Sequence, residues 1–175
     1  MRAEPVTPSD FADITVLLDC AFSPSTFESS LMLGLRKAER ELYEWVVRRD
    51  EHVVAHIAFT KAYRGESAIG FHLAPVAVHP SFQRRGFGTA LISQAMKDLR
   101  LATAPIFVLG NPVYYARFGF RHITNPVCPF DPKNEHFQAV CWIAHEEFTV
   151  GYEPEFHNAL AGAPSQPHTA VTPRA

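Results

Sequence analysis

The sequence FHLAPVAVHPSFQRRGFGTALISQAMKDLRL, residues 71–101, decides the fold of this chain. It begins with a short valine-rich apolar run, which is typical of a strand, and continues through a basic turn that contains two glycines. After the turn, apolar residues recur at helical spacing at Leu91, Ala95 and Leu99, with polar residues on the other side. The stretch therefore predicts a strand, a glycine-bearing turn and an amphipathic helix.

The turn at residues 83–88 reads Gln-Arg-Arg-Gly-Phe-Gly. The first turn of a helix leaves backbone N–H groups without intrahelical partners, and the helix dipole attracts anions to that end. Gly86 and Gly88 have no side chain to hold a phosphate away from those donors, and Arg84 and Arg85 add positive charge. We interpret the turn as a pyrophosphate site; the alternative is an ordinary tight turn with two solvated arginines.

Two other phosphate-binding motifs are excluded by spacing. A Walker loop requires Gly-Lys-Ser/Thr, whereas Gly88 is followed by Thr89 and Ala90. A dinucleotide fingerprint requires a third glycine three residues after Gly88, and Leu91 stands there. The turn therefore belongs to neither class.

A second apolar run, residues 105–109, follows the helix and predicts a buried strand. Two strands joined by one helix form a parallel pair with a right-handed crossover, and ligands bind such units at the carboxyl ends of the strands. Pro75 interrupts the first strand, removes a ladder donor and predicts a bulge that splays the two parallel strands apart. A crevice is therefore expected beyond Pro75.

The remaining segments complete an α+β fold with a mixed, mostly antiparallel sheet. Two amphipathic helices are expected near the N-terminus, the first capped by Thr7 or Ser9 and the second over about residues 27–39. A short helix or a turn over residues 114–118 is expected to end at Gly119. Further strands are predicted at residues 42–48, 53–60, 136–143 and 148–152.

With these motifs in place, the chain resembles the GNAT superfamily of N-acetyltransferases, and most closely its bacterial predicted N-acetyltransferase branch. The turn at residues 83–88 resembles the acetyl-coenzyme A signature of that family, Gln/Arg-x-x-Gly-x-Gly/Ala. Residues 109–120, LGNPVYYARFGF, resemble its later motif, a tyrosine four residues before Gly-Phe. The resemblance covers about residues 1–158 and implies a GNAT-like sheet with one splayed parallel strand pair, flanked by helices.

The resemblance implies acetyl-coenzyme A as co-substrate and direct transfer of its acetyl group to a primary amine of a small molecule. The backbone N–H of Val76 would donate to the thioester oxygen, and Val76 and Val78 would pair with the pantetheine arm. Tyr115 would protonate the leaving thiolate as general acid; the alternative is a half-buried tyrosine with only local hydrogen bonds. The implied cofactor-binding residues are Val76, Ala77, Val78, Gln83, Arg84, Arg85, Gly86, Phe87, Gly88, Thr89, Asn111 and Tyr115.

His72 is the predicted general base, because it titrates near neutral pH and lies four residues before Val76, on the same strand face by the period of two. Glu28 and Glu66 are alternatives, as is a water chain along backbone carbonyls. Asn111 stands closer to the tyrosine of its motif than in many members of the family, so two roles stay open: contact with the cofactor, or only a cap for the short helix.

The two N-terminal helices lie over the acceptor pocket in the family that the chain resembles. The resemblance therefore offers four residues of these helices as pocket lining, and plain core packing is the alternative for them. These residues are Phe22, Phe27, Glu28 and Met32.

Composition excludes several other classes of protein. The chain has 175 residues, 47% of them hydrophobic and 19% charged, which suffices for one core, and a net charge of −2 argues against nucleic acid. No apolar run reaches the length of a membrane span, and the start of the sequence lacks a signal-peptide core. Three cysteines without Cys-x-x-Cys spacing fit a reduced cytoplasmic protein. His52 and His56 have no companion ligands, so no metal is expected.

We therefore predict a single acetyl-coenzyme A-binding domain over residues 1–158 and a disordered, proline-rich tail over residues 159–175. The predicted protein is a cytoplasmic acyltransferase that uses acetyl-coenzyme A and an amine-bearing small molecule, without nucleic acid or membrane partners. Homodimers are common in folds of this kind. The alternative function is a catalytically inert sensor or regulatory protein that binds an acyl-coenzyme A.

Overall fold

The protein is described here by a computed structural model, which covers residues 2–143 and 146–162. Within these residues the strands are β1 (Glu4–Pro5), β2 (Tyr43–Arg49), β3 (His52–Arg64), β4 (Ser67–Val78), β5 (Ile106–Leu109), β6 (Arg121–His122) and β7 (Phe137–Val140). The helices are α1 (Phe11–Phe22), α2 (Phe27–Lys37), α3 (Phe87–Ala95), α4 (Pro112–Ala116) and α5 (Glu155–Gly162).

The strands of the described residues form one sheet in the order β1-β2-β3-β4-β5-β7-β6. Neighbouring strands are antiparallel except β4 and β5, which α3 connects as a parallel pair. Helix α3 covers one face of this sheet, and α1, α2 and α5 cover the other; we call these the α3 face and the α1–α2 face. The predicted α+β fold with a mixed, mostly antiparallel sheet is confirmed.

The parallel pairing between β4 and β5 is short. It comprises the pairs Phe71 with Ile106 and His72 with Phe107, after which β4 continues to Val78 without pairing to β5. The two strands therefore part in the middle of β4 and leave a gap on its β5 side. This gap is the crevice that the sequence predicts at the carboxyl ends of a parallel pair.

A β-bulge in β4 lies where the strands part. Ala74 and Pro75 of β4 stand opposite the single residue Ala58 of β3, because the pairing register shifts there. Proline is tolerated at such a place since it has no N–H to contribute to the ladder. The predicted bulge at Pro75 is confirmed.

The bulge also overturns one expectation about strand faces. Leu73 and Val76 both pack in the core of the α3 face. His72 faces the opposite side, where its ring stacks on Tyr152 with centroids 3.6 Å apart. Because a bulge adds a residue to one strand, the alternation of sides shifts by one across it. The prediction that His72 and Val76 share a face is therefore wrong.

Helix α3 is shorter than the apolar spacing predicts. It ends at Ala95, and Leu99 is 91% exposed, so the prediction that Leu99 belongs to the buried stripe is wrong. The side chain of Asp98 accepts a hydrogen bond from the backbone N–H of Arg100 at 3.0 Å, which favours a turn over a further helical turn. Leu101 is buried in place of Leu99.

Other boundaries differ modestly from the sequence prediction. The predicted strand at residues 148–152 is reduced to isolated bridges, such as Tyr63 with Gly151. Residues 159–162 of the predicted tail belong to α5, and residues 163–175 lie outside the described part of the chain. In the part of the chain that the structure describes, no helix has the length and apolar character needed to cross a bilayer.

Candidate functional site

Two backbone N–H groups of β4 point into the gap between β4 and β5. The N–H of His79 donates to the carbonyl of Val54 at 2.9 Å, so His79 and Val54 form a hydrogen-bonded pair and the N–H of His79 points towards β3. Since hydrogen-bonded and non-hydrogen-bonded pairs alternate along an antiparallel ladder, the N–H of Ala77 also points towards β3. The N–H groups of Val76 and Val78 point away from β3, into the gap.

The turn before α3 presents a second group of free donors. No backbone N–H of residues 84–89 donates to an acceptor among the described residues. Arg84 and Gly86 adopt left-handed conformations with φ of 59° and 84°, which curl the turn so that successive N–H groups converge. The side chain of Gln83 donates to the carbonyl of Val78 at 3.1 Å and so fixes the turn to the end of β4.

Exposure divides the residues of this turn into two groups. Arg84, Arg85 and Gly86 are exposed, so their main chain is open to an anion from solvent. Phe87 and Gly88 are buried, and the ring of Phe87 packs in the core of the α3 face. Phe87 can therefore offer a ligand only its backbone, while its side chain anchors the turn.

Tyr115 lies in α4, which follows β5 directly. Asn111 caps this helix, because its side-chain oxygen accepts hydrogen bonds from the N–H groups of Val113 at 2.9 Å and Tyr114 at 3.4 Å. Gly119, with φ of 88°, allows the left-handed turn that leads into β6. Of the two roles left open for Asn111, the cap is the one that the structure contains.

The side chain of Tyr115 is 2% exposed and packs edge-on against Phe120, with ring centroids 5.7 Å apart. Its hydroxyl makes no hydrogen bond to any described residue. Burial, with a smaller contribution from the neighbouring Tyr114, raises the pKa of the Tyr115 phenol well above its ordinary value. The phenol is thus protonated at neutral pH, as a general acid must be.

His72 is buried beneath Tyr152. Its Nε2–H donates to the carbonyl of Gly151 at 3.0 Å, while Nδ1 is buried without a partner among the described residues. Burial lowers the pKa of His72 to about 3, although the hydrogen bond to Gly151 acts in the opposite sense. A ring with this pKa is neutral at pH 7 and a weak base, so its predicted role as base has little support in this geometry.

The two carboxylates considered as alternative bases have different surroundings. Glu66 is exposed in the turn between β3 and β4. Glu28 is 4% exposed in the first turn of α2, where it accepts one hydrogen bond from the hydroxyl of Ser25 at 3.1 Å. Burial raises the pKa of Glu28, against smaller effects of its hydrogen bonds. A pKa raised by burial, as at Glu28, is common among functional groups and also occurs in structural ones.

Sequence reasoning missed the partners of His72. Gly151 and Tyr152 lie far along the chain from His72 and carry no motif, so only the folded structure brings them together. A surface cleft of about 460 Å³ lies beside β6 and β7 and contains none of the predicted site residues. Within the described residues, no cluster of three or more His, Cys, Asp or Glu is arranged to hold a metal ion.

Comparison with known proteins shows the family to which the chain belongs. The family described as Acetyltransferase (GNAT) domain matches residues 40–122. The uncharacterized N-acetyltransferase YjhQ of Escherichia coli K12 is 35% identical over 144 residues, which are 77% of this chain and 78% of YjhQ. This chain belongs to the GNAT acetyltransferases. The uncharacterized N-acetyltransferase YhbS of the same organism is 30% identical over 116 residues, 65% of this GNAT chain and 69% of YhbS.

Solved structures agree with this membership. The crystal structure of YhbS from Escherichia coli in complex with CoA has a TM-score of 0.81 at 23% identity. The alignment covers 89% of this chain and 91% of the YhbS chain. A GNAT acetyltransferase from Brucella melitensis in complex with acetyl-CoA has a TM-score of 0.74 at 29% identity. This alignment covers 89% of the present chain and 97% of the Brucella chain. The GNAT fold and the acetyltransferase class predicted from the sequence are both confirmed.

Proposed function

We propose that this GNAT protein transfers the acetyl group of acetyl-CoA directly to a primary amine of a small molecule. The observation that carries the proposal is the row of unpaired donors along β4 and the turn after it. Val76 and Val78 direct N–H groups into a gap in the sheet, and residues 84–89 add free N–H groups beside the end of β4. An elongated ligand with amides at one end and phosphates at the other matches this row.

The turn at residues 84–89 would hold the pyrophosphate. Its donors are backbone groups, which bind phosphate oxygens without bringing a side chain that must be ordered first. The exposed guanidinium groups of Arg84 and Arg85 add positive charge around it. The pantetheine arm would then extend into the gap and pair with Val76 and Val78 as a strand would. The Brucella relative, whose structure contains acetyl-CoA, supports this choice of cofactor.

Acetyl transfer would proceed through a tetrahedral intermediate. The lone pair of the amine attacks the carbonyl carbon of the thioester, and the carbonyl oxygen becomes an oxyanion that accepts a hydrogen bond from the N–H of Val76. The C–S bond then breaks, and the thiolate takes the proton of the Tyr115 phenol. The nitrogen loses its one surplus proton, which restores the Tyr115 phenol, so that the neutral amine and acetyl-CoA give the acetamide and CoA.

A matched pair of tyrosine variants tests the acid role. Tyr115→Phe removes only the hydroxyl, and Tyr43→Phe removes the hydroxyl of a tyrosine on β2 that bonds to Glu41. We expect Tyr115→Phe to lower kcat for thiol release by about 10²–10⁴-fold across an amine panel, since this is the usual contribution of general acid–base catalysis. The affinity for CoA, measured by calorimetry, should be unchanged in both variants.

The same experiment separates the alternatives. Absence of CoA uptake by the wild-type protein would contradict the proposed function altogether. Binding of CoA without turnover of any amine would favour the inert acyl-CoA sensor. Turnover of Tyr115→Phe at the wild-type rate would show that another group protonates the thiolate. The cytoplasmic location and the homodimer stay predictions.

A further inference from the structure

We propose that Gln138 is a positioning residue for acetyl transfer. Its buried amide fixes the point at which the chain leaves β5 for α4, and so holds the phenol of Tyr115 in place. This inference rests on the proposed function, because it names a residue that acts on the proposed acid through the backbone.

Gln138 is a buried polar side chain on β7. It is 1% exposed and stands opposite Val108 of β5, whose side chain packs in the core of the α3 face. Directly opposed residues of an antiparallel pair point to the same face of a sheet, so the amide of Gln138 lies on the α3 face, as Tyr115 does. A buried amide is costly unless it is hydrogen-bonded, so the partners of Gln138 indicate its role.

The amide of Gln138 binds the backbone just before α4. Its Nε2 donates to the carbonyl of Gly110 at 3.1 Å and to the carbonyl of His136 at 3.3 Å. The N–H of Gly110 donates to the same carbonyl of His136 at 3.1 Å. Because β5 ends at Leu109, the side chain of Gln138 supplies the buried Gly110 carbonyl with the donor that a neighbouring strand would otherwise give.

Gly110 determines where α4 begins. The next residue, Asn111, caps this helix, and its carbonyl accepts hydrogen bonds from the N–H groups of Tyr114 and Tyr115, each at 3.1 Å. Helix α4 has only 5 residues, and a helix this short has little stability of its own. A displacement of Gly110 would therefore move Asn111 and, with it, the residue that carries the phenol.

The phenol of Tyr115 has no hydrogen bond that would correct such a displacement. Its hydroxyl bonds to none of the described residues, and its ring is held by packing against Phe120 and Tyr114. Burial raises the pKa of Tyr114, and the side chain of Thr89 in α3 acts on it in the opposite sense, so α4 lies beside the start of α3. The placement of α4 thus sets the distance from the phenol to a cofactor bound in the gap.

The first test compares Gln138→Met with Gln94→Met. Methionine has about the length of glutamine and no N–H to donate. Gln94 is the matched control, since it also donates to a backbone carbonyl, that of Ala3 at 2.9 Å. We expect Gln138→Met to lower the single-turnover rate of thiol release by about 10–10²-fold, the effect of misplacing a catalytic group by about 1 Å. The affinity for CoA in calorimetry should be unchanged, and Gln94→Met should keep the wild-type rate.

The second test repeats Gln138→Met in a Tyr115→Phe background. If Gln138 acts through the phenol, the hydroxyl that it positions is already gone, and Gln138→Met should change the remaining rate by less than about 2-fold. A general structural role predicts the same fold-loss in both backgrounds. Equal losses would therefore overturn the inference.

Gln138→Glu gives a further readout, which serves also if Gln138→Met is too unstable to assay. A protonated glutamic acid has one O–H that can donate to the carbonyl of Gly110, whereas the carboxylate has none and repels that oxygen. Because burial favours the neutral form, the rate relative to wild type at the same pH should be highest near about pH 5 and fall towards about pH 9. Rates are measured below the melting temperature of each variant, and a ratio that is constant with pH would overturn the inference.

Failure of this inference can be distinguished from failure of the proposed function. If the wild-type protein acetylates an amine and Tyr115→Phe is slow, while Gln138→Met keeps the wild-type rate, Gln138 does not position the phenol and the proposed function stands. If the wild-type protein binds no CoA, or if Tyr115→Phe keeps the wild-type rate, the proposed mechanism is wrong and the inference falls with it.

Discussion

Substitution of Gly70 tests the close contact between β4 and Pro105, which precedes β5. A Cβ atom at this position would lie 2.2 Å from the carbonyl oxygen of Pro105 and 3.0 Å from its carbonyl carbon. An ordinary carbon–oxygen contact is about 3.3 Å, so Gly70→Ala must move the two segments apart by about 1 Å. The same carbonyl accepts a hydrogen bond from the N–H of Phe71 at 2.9 Å, and this bond would be stretched or lost.

The magnitude follows from these two effects. Overpacking of a close contact costs about 1–3 kcal/mol, and a buried donor without a partner costs about 1–3 kcal/mol. Gly70→Ala should therefore lower the free energy of unfolding by about 2–6 kcal/mol. For a chain of this size, such a change lowers the melting temperature by roughly 5–20 °C. Activity should fall as well, because the parallel pairing of β4 with β5 sets the width of the gap.

Gly34→Ala is the matched control for differential scanning fluorimetry. This glycine lies inside α2, and an added Cβ would meet the Cγ and Cβ of Glu155 at 3.5 and 3.7 Å, which are ordinary contacts. Because alanine favours a helix over glycine, Gly34→Ala should raise stability by about 0.5–1 kcal/mol. If Gly70→Ala melted within about 2 °C of the wild type, the close approach of Gly70 to Pro105 would be wrong.

Three further predictions concern pH, a buried ion pair and the turn. The pKa of His72 falls from 6.5 to about 3 on folding, so the unfolded state binds more protons between these pH values and the protein loses stability as the pH is lowered. His72→Phe should therefore reduce the fall in melting temperature between pH 6.5 and about pH 4. An unchanged dependence of the melting temperature on pH would contradict this. Arg48→Met leaves the buried carboxylate of Asp10 without its arginine, so it should lower the free energy of unfolding in urea by about 1–3 kcal/mol. The same substitution should cost less when Asp10→Asn is already present, and additive losses would show that the two residues are not coupled. Gly86→Ala meets no neighbouring atom but strains a left-handed residue by about 1–2 kcal/mol, so it should weaken CoA binding in calorimetry, whereas equal affinity would argue against this turn as the phosphate site.

Local chemistry made much of the fold predictable from the sequence. Pro75 cannot donate to a ladder, and the glycines before α3 suit a turn with left-handed residues, so both features follow from single residues. The same holds for the cap at Asn111, whose side chain bonds to N–H groups of the next turn. In each case the deciding interaction lies within a few residues along the chain.

Predictions that depended on distant segments were less successful. The prediction that His72 and Val76 lie on the same side of β4 was wrong, because the bulge at Pro75 shifts the alternation of side chains between the two sides of the sheet. The partners of His72, Gly151 and Tyr152, carry no sequence signal. Leu99 was assigned to a helix that Asp98 ends earlier. Spacing alone cannot distinguish a buried stripe from the turn that follows it.

The second half of β4 has a consequence for the protein without its cofactor. Its unpaired donors form an open sheet edge inside the molecule, and such edges invite pairing with another polypeptide. Acetyl-CoA seated there would take the place of the missing strand and, at a hundred times its dissociation constant, add about 2.7 kcal/mol to stability. The amount of soluble enzyme would then depend on the supply of the metabolite that it consumes.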